Sequence, residues 1–370
     1  METLTSADKE ALVRFAGALV DQHAAQKVIS PRQPAAGFWF GGGNVIQLAD
    51  GSLVLVGRYR DAGDSREGVA QGKRGWQLSI FQADGVDHPF REVVALGKDQ
   101  LSSDSRQVLS IEGAAIRVHS EYGFELFVSS EKSGIGYPVE VKEYLKPGTG
   151  VWSIDRIAAG SLTGLARASI HPCLESVDPQ TIHVKDPFLY RRRDGRSMLL
   201  FCSHPFCWTS SNTGYVPLEH GQPVQESIVF DWFQRGFTWD VAITRATCIV
   251  DVPRVGRFQE RHVTLVFYDG GECVRDLEQH ATSQQRPRGF SCEEIGGLAY
   301  FVNNDFSHIH RLSKYQPLFV SPFGTGCSRY VDITATDTGM LAMWQQSRSD
   351  SSQPLVKNFL THQETEEWLR

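Results

Sequence analysis

The stretch PFLYRRRDGRSMLLFCSH, residues 187–204, predicts a β-hairpin. Its two apolar runs, Phe188–Tyr190 and Met198–Cys202, are separated by a charged segment that contains Asp194-Gly195. An Asp-Gly pair between two apolar runs is typical of a tight turn, because both residues tolerate positive φ angles. We therefore expect two buried strands joined by a solvated turn.

Four further segments repeat this pattern of an apolar run, a polar turn and a second apolar run. They begin at intervals of roughly 70 residues, a spacing that suits four-stranded blades with long loops. The four segments span residues 45–59, 114–130, 248–270 and 330–346. Together with the first hairpin they predict an all-β fold, a five-bladed β-propeller, in which residues 31–370 form a single catalytic domain.

Helical patterns occur only near the two ends of the chain. Residues 1–30 are predicted to form an N-terminal helical extension, because Thr5-Ser6 with Asp8 behind it is typical of a capped helix start. Residues 361–370 predict a short C-terminal helix with acidic residues early and Arg370 last. The segment Leu355–Thr361 is predicted to be the strand that completes the last blade and closes the ring.

Composition and charge exclude several classes of protein. A net charge of -6 without long runs of Lys or Arg argues against a nucleic-acid or membrane partner. The acidic residues Glu2, Asp8 and Glu10 do not fit a secretory signal. The sequence has 7 cysteines and no CxxC pair, which favours free thiols over a zinc site or a disulfide framework. We therefore expect a cytoplasmic protein.

Asp186 carries the most informative chemical signal. It precedes Pro187 at the start of a predicted strand, and proline holds the preceding backbone extended, so that the carboxylate points in a reproducible direction. The alternative is an Asx-type turn that only starts the strand.

Glu112 occupies the matching place in the preceding hairpin. Setting Glu112 on Asp186 aligns the two hairpins without a gap and places Phe127 on Phe201. The innermost strands of successive blades all start at one central funnel, so both carboxylates are expected to face the same pocket.

Residues 152–162 and 182–206 resemble the five-bladed propeller glycosidases, namely the arabinanase and xylosidase group and the invertase and levanase group. In those families an Arg-Asp-Pro-like motif supplies a carboxylate that fixes the sugar hydroxyls and tunes the pKa of the general acid. The resemblance implies this role for Asp186, with Lys185 where arginine is usual. It covers residues 37–365 and identifies the chain as a divergent relative.

The sequence departs from the family pattern at the other two catalytic positions. Gly41-Gly42-Gly43-Asn44 stands where those families place an aspartate on the first inner strand. The later blade that would carry the general-acid glutamate has Thr244–Thr247, and Asp240 is the nearest acid. Glu112 and Asp186 are therefore the predicted catalytic pair, at the separation of about 5 to 10 Å that glycosidases use. The alternative is that Glu112 forms a structural ion pair with an arginine.

Other side chains near predicted strand starts and loops are candidates for binding. Aromatic rings suit the C–H face of a sugar, and arginine suits a carboxylated sugar. The predicted substrate-binding residues are Asn44, Trp39, His204, Arg245, Arg329, Tyr330 and Asp240. The candidates for a divalent cation on the propeller axis are His183, His308 and His310.

These features predict an intracellular glycoside hydrolase that acts from the end of a short oligosaccharide through paired carboxylates. One alternative is a carbohydrate lyase or transferase on the same fold that uses His, Tyr or Arg groups. Another is a non-catalytic sugar-binding propeller, because a fold does not determine a function. No cofactor beyond the candidate cation is predicted, and the N-terminal helix leaves a homo-oligomer open.

Overall fold

The computed structural model describes residues 4–62, 74–145, 148–272, 285–286, 289–290 and 294–370. Five antiparallel sheets are arranged as the blades of a propeller, which confirms the predicted fold class. Helices lie at both ends of the chain, as predicted. Within the described residues, no helix has the length and apolar character needed to cross a membrane.

The elements follow one another in chain order. The chain starts with helix α1 (Ser6–Leu19) and strand β1 (Gln26–Ile29). Blade I contains β2 (Trp39–Gly41), β3 (Val45–Gln47), β4 (Leu53–Arg60), β5 (Gln77–Ala83) and β6 (Arg91–Gly97). Blade II contains β7 (Val108–His119), β8 (Gly123–Lys132), β9 (Val151–Ala159) and β10 (Ile170–Leu174). Blade III contains β11 (His183–Arg191), β12 (Ser197–His204), β13 (Asn212–Glu219), β14 (Gln222–Pro223) and β15 (Val229–Phe233).

The last two blades complete the ring. Blade IV contains β16 (Ile243–Asp251), β17 (Val263–Gly271), β20 (Ile295–Val302) and β21 (His310–Arg311), and a separate pair is formed by β18 (Gln285–Arg286) and β19 (Gly289–Phe290). Blade V contains β22 (Ser328–Thr336), β23 (Gly339–Gln346) and β24 (Leu355–Thr361), and helix α2 (His362–Trp368) follows. Short 3-10 turns span Asp99–Leu101, Val139–Tyr144, Thr163–Arg167, Gln225–Ser227 and Gly256–Phe258.

The N-terminal strand closes the ring. Strand β1 pairs with β24, so the order in blade V is β22-β23-β24-β1. The prediction that Leu355–Thr361 closes the ring was therefore wrong: this strand is the third of its blade, and residues from the predicted helical extension add the fourth. The sequence pattern missed β1 because its burial is irregular, with only Ile29 buried.

An apolar cluster fills each of the five interfaces between neighbouring blades. Phe40 of blade I packs in one cluster with Leu341 of blade V, for example, where the ring closes. Helix α1 is part of this core, because its buried face, which includes Leu12 and Phe15, joins the cluster of blades IV and V. A capping box at Thr5 and Asp8 starts the helix and satisfies two of its free N–H groups.

The hairpin at residues 187–204 forms as predicted, with the turn closed by hydrogen bonds between Arg192 and Arg196 and between Gly195 and Arg192. The gapless overlay of the two hairpins was wrong beyond their turns. Ala115 pairs with Phe127, whereas the equivalent Leu189 pairs with Leu199, so the second strands are offset by two residues. The alignment holds for the inner strands β7 and β11, where the two acids lie.

Candidate active site

Bulges on three inner strands aim side chains at the centre of the propeller. The strand register shifts between Ile111 and Ala114, between Lys185 and Phe188, and between Arg329 and Asp332. These bulges leave Glu112, Asp186 and Tyr330 at equivalent places of blades II, III and V. Asp186 and Tyr330 have φ angles of 52° and 53°, which residues other than glycine adopt rarely and which recur at functional sites, so the extended backbone expected for Asp186 before Pro187 was wrong.

A saturated ion network lies on the propeller axis. We define the axial network as Asp186, Arg245, Asp269, Glu294 and Arg329. Arg245 donates to Asp186 Oδ2 at 3.0 Å, to Asp269 Oδ2 at 2.7 Å and to Glu294 Oε2 at 3.0 Å. Arg329 also donates to Glu294 and is within reach of the Gln345 side-chain oxygen. Each guanidinium in this network therefore has carboxylate partners.

Asp186 is held from several sides. Its Oδ1 accepts from Gly113 N at 3.0 Å, and its own backbone N–H donates to Ser129 Oγ at 3.0 Å. Its Oδ2 accepts from Arg245, and Lys185 Nζ lies 3.7 Å from the same oxygen. Both carboxylate oxygens are thus occupied by groups of the protein.

The space around Asp186 is small. The axial cavity has a volume of about 20 Å³, enough for one water molecule and not for a sugar ring. Asn44 lines this cavity, but its side chain is bonded to Ile116, accepting from the backbone N–H at 2.8 Å and donating to the carbonyl at 3.0 Å. Asp186, Asn44, Arg245 and Tyr330 thus meet at the axis, as predicted, but around a cavity too small for substrate.

Glu112 lies on the other side of the funnel, facing blade I. Arg58 Nη2 donates to its Oε2 at 3.1 Å, Ser110 Oγ donates to its Oε1 at 3.0 Å, and Arg74 Nη2 is 4.0 Å away. Burial alone would raise the pKa of Glu112, but Arg58, Lys185 and Arg74 outweigh it and hold the pKa well below the ordinary value. Glu112 is therefore an ionised carboxylate, in an ion pair of the kind that the sequence left open as the alternative.

Glu131 is a second carboxyl group on the same face of blade II. It stands opposite Ser110 in the pairing of β7 with β8, and Ser110 donates to Glu112, which lies in the bulge of β7. The charge of Glu112 contributes to raising the pKa of Glu131, so the two carboxyl groups are close enough to interact.

The environment of Glu131 opposes that of Glu112. Glu131 is fully buried, its Oε1 accepts from Gly150 N at 2.8 Å, and its Oε2 has no hydrogen-bond partner among the described residues. Burial raises the pKa of Glu131 to about 7, with Glu112 adding to the rise and Arg74 opposing it. Glu112 is thus kept ionised, whereas Glu131 is partly protonated near neutral pH, and a difference of this kind separates a base from an acid.

A cleft near these groups opens between blades II and III. Its volume is about 200 Å³, and its walls include Gly150, which bonds Glu131, and Arg74, which faces Glu112. The other walls are mainly aromatic: Tyr137, Tyr144, Trp152, Phe206 and Trp208, with Leu145, Thr149, His183 and Cys207. Aromatic rings with polar edges suit the alternating C–H and hydroxyl faces of a sugar.

Two buried histidines support the aromatic wall. The Trp208 ring lies 4.6 Å from His183 and 4.3 Å from His204, and Lys185 Nζ lies 5.1 Å from its centre. Burial and the nearby charge of Lys185 lower the pKa of His183 to about 3 and that of His204 well below its ordinary value. Both rings are therefore neutral at physiological pH and act as packing groups for Trp208.

The remaining predicted site residues lie away from the cleft. Trp39 is buried, with Arg60 and Arg329 each 4.0 Å from its ring. Asp240 is fully buried in a pair with Arg311 of β21, at 2.8 Å, and lines neither cavity.

The candidate metal ligands do not converge. His308 pairs with Asp305 in an exposed loop, and His310 lies on β21, the outer strand of blade IV, whereas His183 borders the cleft. In the part of the chain that the structure describes, no group of three potential ligands is close enough to hold a metal ion. The axial positions predicted for these histidines were therefore wrong for His308 and His310, because the loop after β20 carries them to the rim.

Sequence reasoning missed Arg58, Arg74 and Glu131. Glu131 ends an apolar strand, Gly123–Lys132, without a proline or glycine beside it, so nothing in the sequence separates it from an ordinary surface acid at a strand end. The geometry of the predicted fold does offer a signal. The second strand of each blade ends at the central funnel, where the first strand begins, so an acid at the end of a second strand is expected to face the same space as Glu112.

Comparisons with known proteins identify the fold. A solved structure described as "Glycoside hydrolase" aligns with a TM-score of 0.58 at 8% identity, over 96% of both chains. A putative glycoside hydrolase from Parabacteroides distasonis gives 0.53 at 11% identity, over 90% of this chain and 96% of that one. The α-L-arabinofuranosidase from Lactobacillus brevis gives 0.52 at 9% identity, over 90% of this chain and 93% of that one. No family model and no curated protein sequence matches the chain.

The resemblance to five-bladed propeller glycosidases is thereby confirmed for the fold. Structural neighbours named as glycoside hydrolases align over 90% and 96% of this chain. At sequence identities of 8% to 11%, the likeness shows the fold, and the chemistry is argued from the residues themselves.

Proposed function

We propose that this protein is a glycoside hydrolase that cleaves a short oligosaccharide or glycoside from its end. The observation that carries the proposal is the pair of buried carboxyl groups, Glu112 and Glu131, beside an aromatic cleft. Glycosidic cleavage needs one group to protonate the leaving oxygen and another to assist attack at the anomeric carbon. The neighbours of the fold, which are named as glycoside hydrolases, support the same reaction class.

Glu131 is the proposed proton donor. Its raised pKa of about 7 keeps a protonated fraction present near neutral pH, and its buried Oε2 has no hydrogen-bond partner among the described residues. Glu112 is the proposed ionised partner, which assists a nucleophilic water or attacks directly. This assignment keeps Glu112 of the predicted pair and puts Glu131 in the place of Asp186 as its catalytic partner.

Asp186 has a positioning role in this proposal. With one oxygen on Gly113 N and the other on Arg245, it ties β7, which carries Glu112, to the axial network. It therefore fixes the place of Glu112 and does not itself donate a proton to the substrate.

The size of the cleft favours a small substrate. Its volume of about 200 Å³ lies below the range of about 300 to 1,000 Å³ that holds drug-sized ligands, so it fits one terminal sugar. We also propose a cytoplasmic location; the free thiols of Cys173, Cys202, Cys207 and Cys248 support a reducing compartment, whereas Cys273 and Cys292 lie outside the described residues.

The test is a product assay on a panel of short plant and bacterial oligosaccharides, with wild type, Glu131→Gln and Glu112→Gln in parallel. We expect wild type to release a sugar and each variant to lose at least about a hundredfold in rate, the scale of a general acid or base. Full activity in both variants would refute the paired-carboxyl mechanism. An unsaturated product would indicate a lyase, and tight binding without any product would indicate a sugar-binding protein.

A further inference from the structure

Three arginines gather on the blade I side of the funnel. We define the blade I arginine cluster as Arg58, Arg60 and Arg74. Arg58 and Arg60 lie two residues apart on β4, so their side chains leave the strand on the same face. The positive charge of Arg74 close by contributes to lowering the pKa of Arg60 well below its ordinary value, after the larger effect of burial.

The cluster has one carboxylate among the described residues. Glu112 pairs with Arg58 at 3.1 Å and with Arg74 at 4.0 Å. Four buried donors of the cluster have no hydrogen-bond partner among the described residues: Arg58 Nε, Arg58 Nη1, Arg60 Nε and Arg74 Nε. Arg58 itself is only 2% exposed, and a buried guanidinium with unused donors is costly unless an anion completes it.

The surrounding structure holds the cluster in place. Arg60 lies 4.0 Å from the ring of Trp39, which fixes its guanidinium by stacking. Gly75 fixes Arg74, because the Gly75 carbonyl accepts from Ile111 N at 2.6 Å and the residue has a φ of +47°. A Cβ at position 75 would come within 2.1 Å of the Ile111 carbonyl oxygen, so only glycine allows this contact with the strand of Glu112.

The arginines of the axial network offer no such donors. Arg245 has three carboxylate partners, and Arg329 is paired with Glu294 and stacked on Trp39. The sequence suggested Arg245 and Arg329 as contacts for an anionic ligand. The structure pairs both within the protein, and it brings Arg74 of the other cluster into the wall of the cleft.

We infer that the sugar bound in the cleft is acidic, a uronic acid whose carboxylate is held by Arg60 and Arg74 while Arg58 keeps Glu112 ionised. This inference rests on the proposed function, because that function makes the ligand a sugar. It names the substrate class of the same site. A guanidinium fork matches the two oxygens of a carboxylate, and one uronate lowers the excess positive charge of the three arginines and Glu112.

The first experiment compares ligands that differ only at C6. Calorimetric titration of the whole protein with glucuronate and galacturonate is set against titration with glucose and galactose. In parallel, hydrolysis of nitrophenyl glucuronide and galacturonide, in both anomers, is set against the matching glucoside and galactoside. We expect at least one uronate or uronide to be preferred over its neutral partner by roughly 10- to 100-fold, the effect of a hydrogen-bonded charge pair.

The second experiment removes the charges in turn. Arg74→Gln and Arg60→Gln are expected to abolish the preference for the acidic ligand while leaving weak binding of the neutral one, and Arg74→Lys is expected to restore part of it. Arg196→Gln is the matched control, because Arg196 is paired with Asp194 at the exposed tip of the blade III hairpin. The folding of each variant is checked by its thermal unfolding midpoint.

The outcomes separate the two proposals. Preferential binding of a uronate, with no cleavage of any of the glycosides or uronides, would support the acidic ligand and overturn the hydrolase. Neutral glycosides cleaved at least as fast as their uronide partners, with no effect of Arg60→Gln or Arg74→Gln on the ratio, would overturn the acidic ligand and leave the hydrolase standing.

Discussion

The axial network and the blade I arginine cluster both place arginines in the buried centre of the propeller, but only the first is neutralised. Arg245 and Arg329 share three carboxylates, whereas Glu112 pairs with Arg58 and Arg74, and Arg60 has no ion pair among the described residues. Removing one partner of a saturated buried network leaves charges uncompensated, so the axis behaves as structure. The blade I arginine cluster keeps unused donors beside a cleft, and Glu131 nearby has one carboxyl oxygen without a partner among the described residues, so this region is organised for a ligand.

Breaking the axial network has the largest expected effect. Arg245→Met would leave Asp186, Asp269 and Glu294 without their shared cation, and we expect a loss of about 3 to 5 kcal/mol in the free energy of unfolding. Urea denaturation measures it. The control Arg196→Met, at an exposed pair, is expected to change stability by less than about 0.5 kcal/mol. Equal stability of the two variants would show that the axis is not structural.

The pH dependence of stability tests the environment of Glu131. Its pKa is raised from 4.5 to about 7 in the folded protein, so between these values the folded state binds more protons than the unfolded state, and stability falls as pH rises. This group alone accounts for about 3 kcal/mol, at 1.36 kcal/mol per pKa unit.

The measurement is the unfolding free energy of wild type and Glu131→Gln across that pH window. The variant should become more stable relative to wild type as pH rises from 4.5 to 7, with no further change above that range. Asp269, whose pKa burial raises to about 6, contributes in the same direction in both proteins and cancels in the difference. Parallel curves for the two proteins would mean that Glu131 titrates normally.

Truncating the aromatic wall tests the cleft as the binding site. Trp208→Ala removes a ring of the cleft wall that stacks on both histidines, and we expect KM to rise about tenfold with kcat changed less, because ring contacts contribute roughly 0.5–1.5 kcal/mol. Trp368→Ala, in helix α2 and 42% exposed, is the matched control. An unchanged KM for Trp208→Ala would move the binding site elsewhere.

The smallest loss of stability is expected on replacing Arg60, which has no ion-pair partner among the described residues. Arg60→Met replaces a half-buried cation that lies near other arginines and forms no ion pair among the described residues. We expect its stability to equal or exceed that of wild type by up to about 1 kcal/mol, since a buried cation without a partner is unfavourable. The same urea experiment as for Arg245→Met measures it, and a loss comparable to that variant would erase the contrast between the two regions.

The fold could be predicted from the sequence because alternating apolar runs and Asp-Gly or Tyr-Gly turns depend on local chemistry. The innermost strands, and with them Glu112 and Asp186, follow from the same pattern. The pairing of β1 with β24 could not be predicted, because it joins residues about 330 apart in the chain. A strand of four residues is also too short to show a clear sequence pattern.

The candidate site was predicted only in part, for a related reason. Which carboxylate is neutralised depends on side chains from different blades. Arg58 of β4 reaches Glu112 of β7, and Arg245 of β16 reaches Asp186 of β11. No local spacing in the sequence records such pairs, so Asp186 and Glu112 look equivalent until the blades are assembled.

The central claim, that Glu131 donates the proton to the leaving sugar, is tested most directly by leaving-group dependence. Values of kcat/KM are measured for wild type, Glu131→Gln and Asp186→Asn on a substrate with a sugar leaving group and on its dinitrophenyl counterpart, whose leaving group needs no proton. We predict that Glu131→Gln loses at least about a hundredfold on the first and less than about tenfold on the second, while Asp186→Asn affects both alike. An equal loss on both substrates for Glu131→Gln would contradict its role as the acid.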